Sequence, residues 1–119
     1  MKRTLVLGAS PNPDRYSNMA INLLRRAGHP VVAVGLREGN VGDVAIQKDV
    51  PEGEEIDTLT MYLSAENQKP WIPAILNMKP RRVIFNPGAE NPDFAGQLAQ
   101  SGIETEEACT LVLIRSGQY

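Results

Sequence analysis

Near the N-terminus, Gly8-Ala9-Ser10 closes a short apolar run and leads through Arg15 and Ser17 into a segment with helical apolar spacing. A glycine there removes Cβ bulk and lets backbone approach a ligand. Free N–H groups at a helix start, hydroxyls and one guanidinium can then converge on a phosphate. The same residues also suit a plain polar connection in which Ser17 or Asn18 only caps the helix. The loop is neither of the two familiar glycine-rich patterns. Ser10 stands at the second glycine of G-x-G-x-x-G, and no G-K-[ST] follows.

A second candidate is Gly35-Leu36-Arg37, after the apolar run Val31–Val34. A dinucleotide fold usually carries an acid there for the ribose hydroxyls. Arg37 favours a ribose phosphate instead; as a loop charge beside Glu38 it is equally at home in solvent. Two further segments fall just past apolar runs: Tyr62-Leu63-Ser64 and Asn86-Pro87-Gly88.

Acyl or phosphoryl transfer needs a nucleophile or a general base beside the reacting group, and no such pair stands out. His29, the one histidine, falls between a helix end and a strand start, the pole opposite the glycine-bearing turns. Cys109 is the one cysteine, so no internal disulfide forms; a mixed disulfide with a ligand thiol is one role open to it, and a small buried residue is the plainer one. The acidic run Glu52–Asp57 lacks the order of a metal loop. The expected catalytic and metal-ligating residues are therefore none.

These turns need a scaffold. Arg3–Leu7 is β-rich, and Val31–Val34 is continuously apolar, as in a strand covered on both faces. A third strand is expected over Ile56–Leu63, a fourth over Arg82–Phe85 and a short fifth over Ile103–Glu106. Val44–Ile46 reads as a short extra strand or an extended edge. Between them, Ala20, Ile21, Leu24 and Ala27 recur at helical spacing, with Gly28 as the C′ residue. A second helix starts at Asn67 or Lys69, with Pro70 in its first turn and Pro73 one turn later. Asn91 and Pro92 suit N-cap and N1 of a third, which Gly102 ends. Leu111–Ile114 reads as a last helix, with a strand as the alternative. This order implies an α/β, three-layer Rossmann-like fold: a five-stranded parallel sheet, order 3-2-1-4-5, with helices on both faces. Ligands of such sheets collect beyond the strand carboxyl ends, expected here between strands 1 and 4.

The chain has 119 residues, the size of a single domain over 1–119. Its net charge of −2 argues against nucleic acid as a partner. No apolar stretch approaches the ~20 residues of a membrane span. One cysteine and no signal-peptide core fit the cytoplasm.

The run from Val6 to Asn18 resembles the first motif of the small stand-alone CoA-binding family, single domains similar to the N-terminal domain of the succinyl-CoA synthetase alpha subunit. The likeness continues through Gly28–Val34, Ile56–Leu59, Val83–Gly88, Gly102-Ile103 and Cys109. It implies that Gly8, Ala9, Ser10, Arg15 and Ser17 hold the pyrophosphate of coenzyme A. Gly35, Leu36 and Arg37 would lie near the adenosine and its 3′-phosphate. Tyr62 and Leu63 would wall the adenine or pantetheine side, and Asn86, Pro87 and Gly88 the far side. Many relatives read P-V-N-P where this chain has Ala33-Val34-Gly35-Leu36, and Trp and Gln where it has Phe85-Asn86-Pro87. The synthetase's catalytic histidine belongs to a different domain, so non-catalytic CoA binding is the first expectation. The alternatives are a small enzyme or subunit of acyl-CoA metabolism with a partner chain, and a module responsive to NADP or another adenine nucleotide. A homodimer is compatible with so small a domain.

Overall fold

A computed structural model describes residues 1–119. It is an α/β fold in three layers. Strands β1 (Thr4–Leu7), β2 (Val31–Val34), β3 (Gly39–Val41), β4 (Val44–Gln47), β5 (Thr58–Met61), β6 (Arg82–Phe85) and β7 (Glu104–Glu107) form one sheet in the order β3-β4-β2-β1-β5-β6-β7. All neighbours are parallel except β3 and β4.

The expected five strands in the order 3-2-1-4-5 are corrected in number and in order. The strand read over Ile56–Leu63 is β5, and it lies between β1 and β6 rather than beyond β2. The place beyond β2 is taken by the β3–β4 hairpin, turned by Gly42-Asp43 with Gly42 at φ +59. The physical reason is burial. The hairpin sends Val41, Val44 and Ile46 into the core beside α1 (Tyr16–Arg26). Each such side chain, fully buried, contributes about 1.5–3 kcal/mol, which a free hairpin lacks. The four residues of β5 are all buried, as a central strand requires.

Alternation along the strands assigns the faces. Leu5, Leu7, Val32, Val34, Leu59, Met61, Val83 and Phe85 form one core with Ile75 of α3 (Ile72–Met78) and Phe94 and Leu98 of α4 (Pro92–Gln100). Val6, Ala33 and Ile46 face Ile21 and Leu24 of α1, with Ile114 of α5 (Thr110–Arg115) packed against them. The tail is thus the expected helix.

Local signals explain the helix ends. Gly28, at φ +86, follows the last turn of α1, and Asn91 accepts the Phe94 N–H at 3.2 Å to cap α4. The segment with two prolines starts earlier than expected, because Ser64 caps α2 (Ala65–Gln68). A 3₁₀ turn at Lys69–Trp71 then leads into α3. Pro70 and Pro73 lack the N–H that one continuous helix would need.

A buried polar cluster joins β5, β6 and α5. The Asn86 side-chain amide donates to Thr60 Oγ1 at 2.7 Å and to the Met61 carbonyl at 2.9 Å, and its oxygen accepts the Thr110 N–H at 2.9 Å. The Thr60 and Thr110 hydroxyls bond each other at 2.8 Å. Beside them the Tyr62 hydroxyl is buried with no partner. Burial pushes this phenol up to about 12 from 10.0.

Two stability tests follow from this packing. Because the folded-state value of Tyr62 is raised, its contribution is complete below about pH 10 and is lost as pH climbs toward about 12. Tyr62→Phe should flatten that alkaline fall in urea unfolding, and at neutral pH should lie within about 1 kcal/mol of the parent or above it, since it removes an unpaired hydroxyl. Tyr119, also raised chiefly by burial, keeps part of the slope. An unaltered slope would mean the Tyr62 phenol ionises freely in the fold. Separately, a Cβ on Gly35 would stand 2.1 Å from the Ala9 carbonyl oxygen. Gly35→Ala should therefore lower the unfolding free energy by about 1–3 kcal/mol, the range for overpacking; an unshifted urea midpoint would show that the two turns separate freely.

Candidate functional site

The chain runs from β1 to β2, on to the edge strand β3 and back through β4 beside β2, then crosses to β5 on the other side of β1. The reversal lies between β1 and β5, not between the strands that sequence numbering made 1 and 4. Beyond these carboxyl ends lies a cavity of about 810 Å³, within the usual range of roughly 300–1,000 Å³ for ligand sites.

The turn after β1 is built to face this cavity. The Val34 carbonyl accepts both the Gly8 and Ala9 N–H groups at 2.9 Å. Gly8 sits at φ +96, where a Cβ would meet Tyr62 backbone at 3.1 Å and the Leu63 side chain at 3.2 Å. The next residues hold one another: Ser10 Oγ accepts the Asn12 N–H at 3.1 Å, and Asn12 Oδ1 accepts the Asp14 N–H at 3.0 Å. Asn18, expected as a cap, instead donates its amide to the Ser10 carbonyl at 3.0 Å.

Helix α1 begins without a cap. Arg15 is the N-cap residue, its side chain makes no capping bond, and the first turn holds no acid. Ser17 lies inside the helix and is not its cap. The N–H groups of Ser10, Tyr16 and Ser17 find no acceptor within the protein. Such groups, with the helix dipole, suit an anion. Arg15 and Arg37 both line the cavity, and neither has a carboxylate within ion-pair reach. Glu38, next to Arg37, is instead 3.8 Å from Lys48.

Of the residues singled out from sequence, Gly8, Ala9, Ser10, Arg15 and Ser17 line the cavity together with Leu36, Arg37, Tyr62, Leu63 and Pro87. Gly35, Asn86 and Gly88 do not. Gly35 is a packing glycine against Ala9. The Asn86 amide is used within the fold. Gly88 is exposed and donates its N–H to Glu90 at 2.9 Å. Asn12, Asp14, Tyr16 and Asn67, which were not among the expected site residues, also line the cavity. The first three stand inside the Ser10-to-Ser17 loop, so their position was the available signal. Asn67 was hidden because the helix was expected to start there.

The other reactive groups lie elsewhere. His29 is at the amino ends of the strands, where Nδ1 accepts the Lys2 N–H at 3.0 Å and the ring meets Tyr119 edge-on at 5.0 Å. Burial, then the N-terminal charge and Lys2, hold its pKa below the usual value. Cys109 is a half-buried free thiol before α5 and does not line the cavity. In the acidic run, Glu54 pairs with Arg3 at 3.0 Å and Asp57 with Arg81 at 3.0 Å. No helix is long and apolar enough to cross a membrane.

Comparison with known proteins adds to this geometry. An uncharacterised protein of known crystal structure is 41% identical and superposes with a TM-score of 0.96, over 100% of this chain and 98% of its own. The cell-free ID.343 protein from Thermus thermophilus is 22% identical, with a TM-score of 0.87 over 99% of this chain and 90% of that one. A dinucleotide-forming acetyl-coenzyme A synthetase of Ca. Korarchaeum cryptofilum, in its apo form, shares the fold at 10% identity, with a TM-score of 0.73 over 87% of this chain and 25% of that one. No curated protein matches significantly in sequence. The CoA binding domain family matches residues 2–115. That match takes in every strand and helix around the cavity, and the chain belongs to the CoA binding domain family.

Proposed function

We propose that this chain is a non-catalytic domain that binds coenzyme A in the cavity between the ends of β1 and β5. One observation carries the reading: an uncapped helix start opens into a cavity lined by two arginines that lack carboxylate partners. The donors fit a diphosphate. The N–H groups of Ser10, Tyr16 and Ser17 and the Arg15 guanidinium would take the pyrophosphate, and Arg37 the phosphate on the ribose. Tyr62, Leu63 and Pro87 would wall the pantetheine arm. Asp14 is the one carboxylate lining the cavity, against two arginines.

The non-catalytic part of this reading draws on the lining residues. Ser10 Oγ is engaged by the Asn12 N–H, and no base stands within hydrogen-bond reach of either lining serine. A subunit role in acyl-CoA metabolism draws on the fold shared with a quarter of an acetyl-coenzyme A synthetase; the remaining machinery would then come from a partner chain. The single cysteine suits a reducing cytoplasm, where we place the protein.

Ligand-induced thermal shifts rank the candidates, since a ligand of the folded state raises its stability. Coenzyme A should give the largest shift, ahead of dephospho-CoA, NADP, NAD and ATP. By calorimetry, Arg15→Ala should weaken coenzyme A by about 1.5–3 kcal/mol, as for a lost charged hydrogen bond. Arg37→Ala should bring coenzyme A and dephospho-CoA to the same affinity. Absence of any shift with coenzyme A defeats the reading, and an Arg15→Ala protein of parental affinity removes that guanidinium from the site.

A further inference from the structure

We infer that His29 is an acid-sensitive latch at the amino pole of the sheet. As a neutral ring it holds the segment entering β1 against the tail that follows α5, and its protonation releases both. No ligand in the cavity is needed for this.

The geometry admits one protonation state. Nδ1 of His29 accepts the Lys2 N–H at 3.0 Å. A backbone N–H can only donate, so Nδ1 offers a lone pair and the neutral ring carries its proton on Nε2. An imidazolium is a donor at both nitrogens. Its Nδ1–H would then face the Lys2 N–H, and an attractive contact would become a repulsive one. The same ring meets Tyr119 edge-on at 5.0 Å, so one side chain touches both segments.

The surroundings oppose a positive charge at this place. The Lys2 ammonium lies 5.3 Å from the centre of the Tyr119 ring, and the Arg82 guanidinium 4.8 Å. A charged His29 would be a third cation about that ring. The N-terminal ammonium acts from the same side as Lys2. From α1, Arg25 donates to the His29 carbonyl at 3.0 Å, and Asp43 pairs with that arginine. Asp57, just before β5, is the anion that favours the charged form. Its carboxylate is already engaged by Arg81 at 3.0 Å and by the Thr58 hydroxyl at 2.7 Å. Burial comes first among the causes that keep the ring below its ordinary value, followed by the neighbouring cations.

The tail covers buried groups. Tyr119 bonds the Thr4 hydroxyl through its own, takes the Lys2 ammonium at its carbonyl and lies over Arg82, and Thr4 and Arg82 are both buried. Release of the latch would uncover them to water. The folded-state value of His29 lies below that of the unfolded chain. The latch is therefore complete above about pH 6.5 and is lost as pH falls through the folded-state value.

The test follows the full chain from about pH 8 to about pH 5, the span in which histidine changes charge. Proton NMR reads the His29 and Tyr119 rings, and urea unfolding reads stability. His29 should titrate below 6.5, the Tyr119 signals should move with the same midpoint, and the urea midpoint should fall across it. In His29→Asn an amide oxygen stands where histidine has Nδ1 and does not titrate. Its Tyr119 signals should hold still with pH, and most of the acid fall in the urea midpoint should vanish. A His29 that titrates at or above its ordinary value overturns the latch, as do Tyr119 signals indifferent to that titration. A folded His29→Asn protein with the full acid fall of the parent overturns it too. Should that variant not fold, the titration of the parent alone decides.

Discussion

The Val34 carbonyl accepts two N–H groups, from Gly8 and Ala9, and so bends the chain sharply as it leaves β1. Everything at the cavity depends on this shared acceptor. It pulls the exits of β1 and β2 so close that residue 35 has no room for a Cβ against the Ala9 carbonyl. It also frees the N–H of Ser10, the next in line, from any acceptor in the protein. Gly39 continues the contact, since a Cβ there would lie 3.0 Å from Pro11. The hairpin beyond β2 is thereby packed against the same loop. A ligand at this turn meets backbone that is already fixed, so little conformational entropy remains to be lost on binding.

A separate network of polar contacts holds the opposite pole. One face of the sheet carries Thr4, Thr58, Thr60 and Arg82 among its inward residues, all buried. Such a face needs partners rather than apolar cover. Arg82 finds Thr58 Oγ1 at 3.2 Å and Glu106 at 3.2 Å, and its guanidinium lies 4.8 Å from the centre of the Tyr119 ring. Tyr119 also bonds Thr4 through its hydroxyl and receives the Lys2 ammonium at its carbonyl. The last residues thus close the amino ends of the strands. The carboxyl ends stay open around the cavity, so the proposed binding site lies at the pole away from this network.

What could be read in the sequence follows how local each cause is. Gly28 after α1 and Asn91-Pro92 before α4 act within a turn, and both were legible. So were the strands whose residues are apolar on both faces. The place of β5 was not, because pairing beside β1 or beside β2 suits the same buried strand; the hairpin decided it through Val41, Val44 and Ile46. At the cavity, residue types just past strand ends pointed to the correct turns but could not separate lining from scaffold. Gly35 and Asn86 occupy strand ends as Gly8 and Pro87 do, yet one packs on Ala9 and the other ties β5 to α5. Only the paired partner, distant in sequence, makes that distinction.

The unpaired arginines make sense on a chain whose net charge is −2. Exposed cations such as Arg25 and Arg81 are matched with Asp43 and Asp57, which lowers the field they present to solvent. Arg15 and Arg37 are not matched, and Glu38 lies nearer Lys48. Leaving a guanidinium free in water carries almost no penalty, because a surface ion pair contributes only about 0–1 kcal/mol. The same group against a phosphate, on a preset backbone and beside apolar walls, works at lower dielectric and with less screening. On the proposed reading, a small sacrifice in the free protein becomes a preference for an anion beside Arg15 and Arg37, although the net charge of the chain is negative.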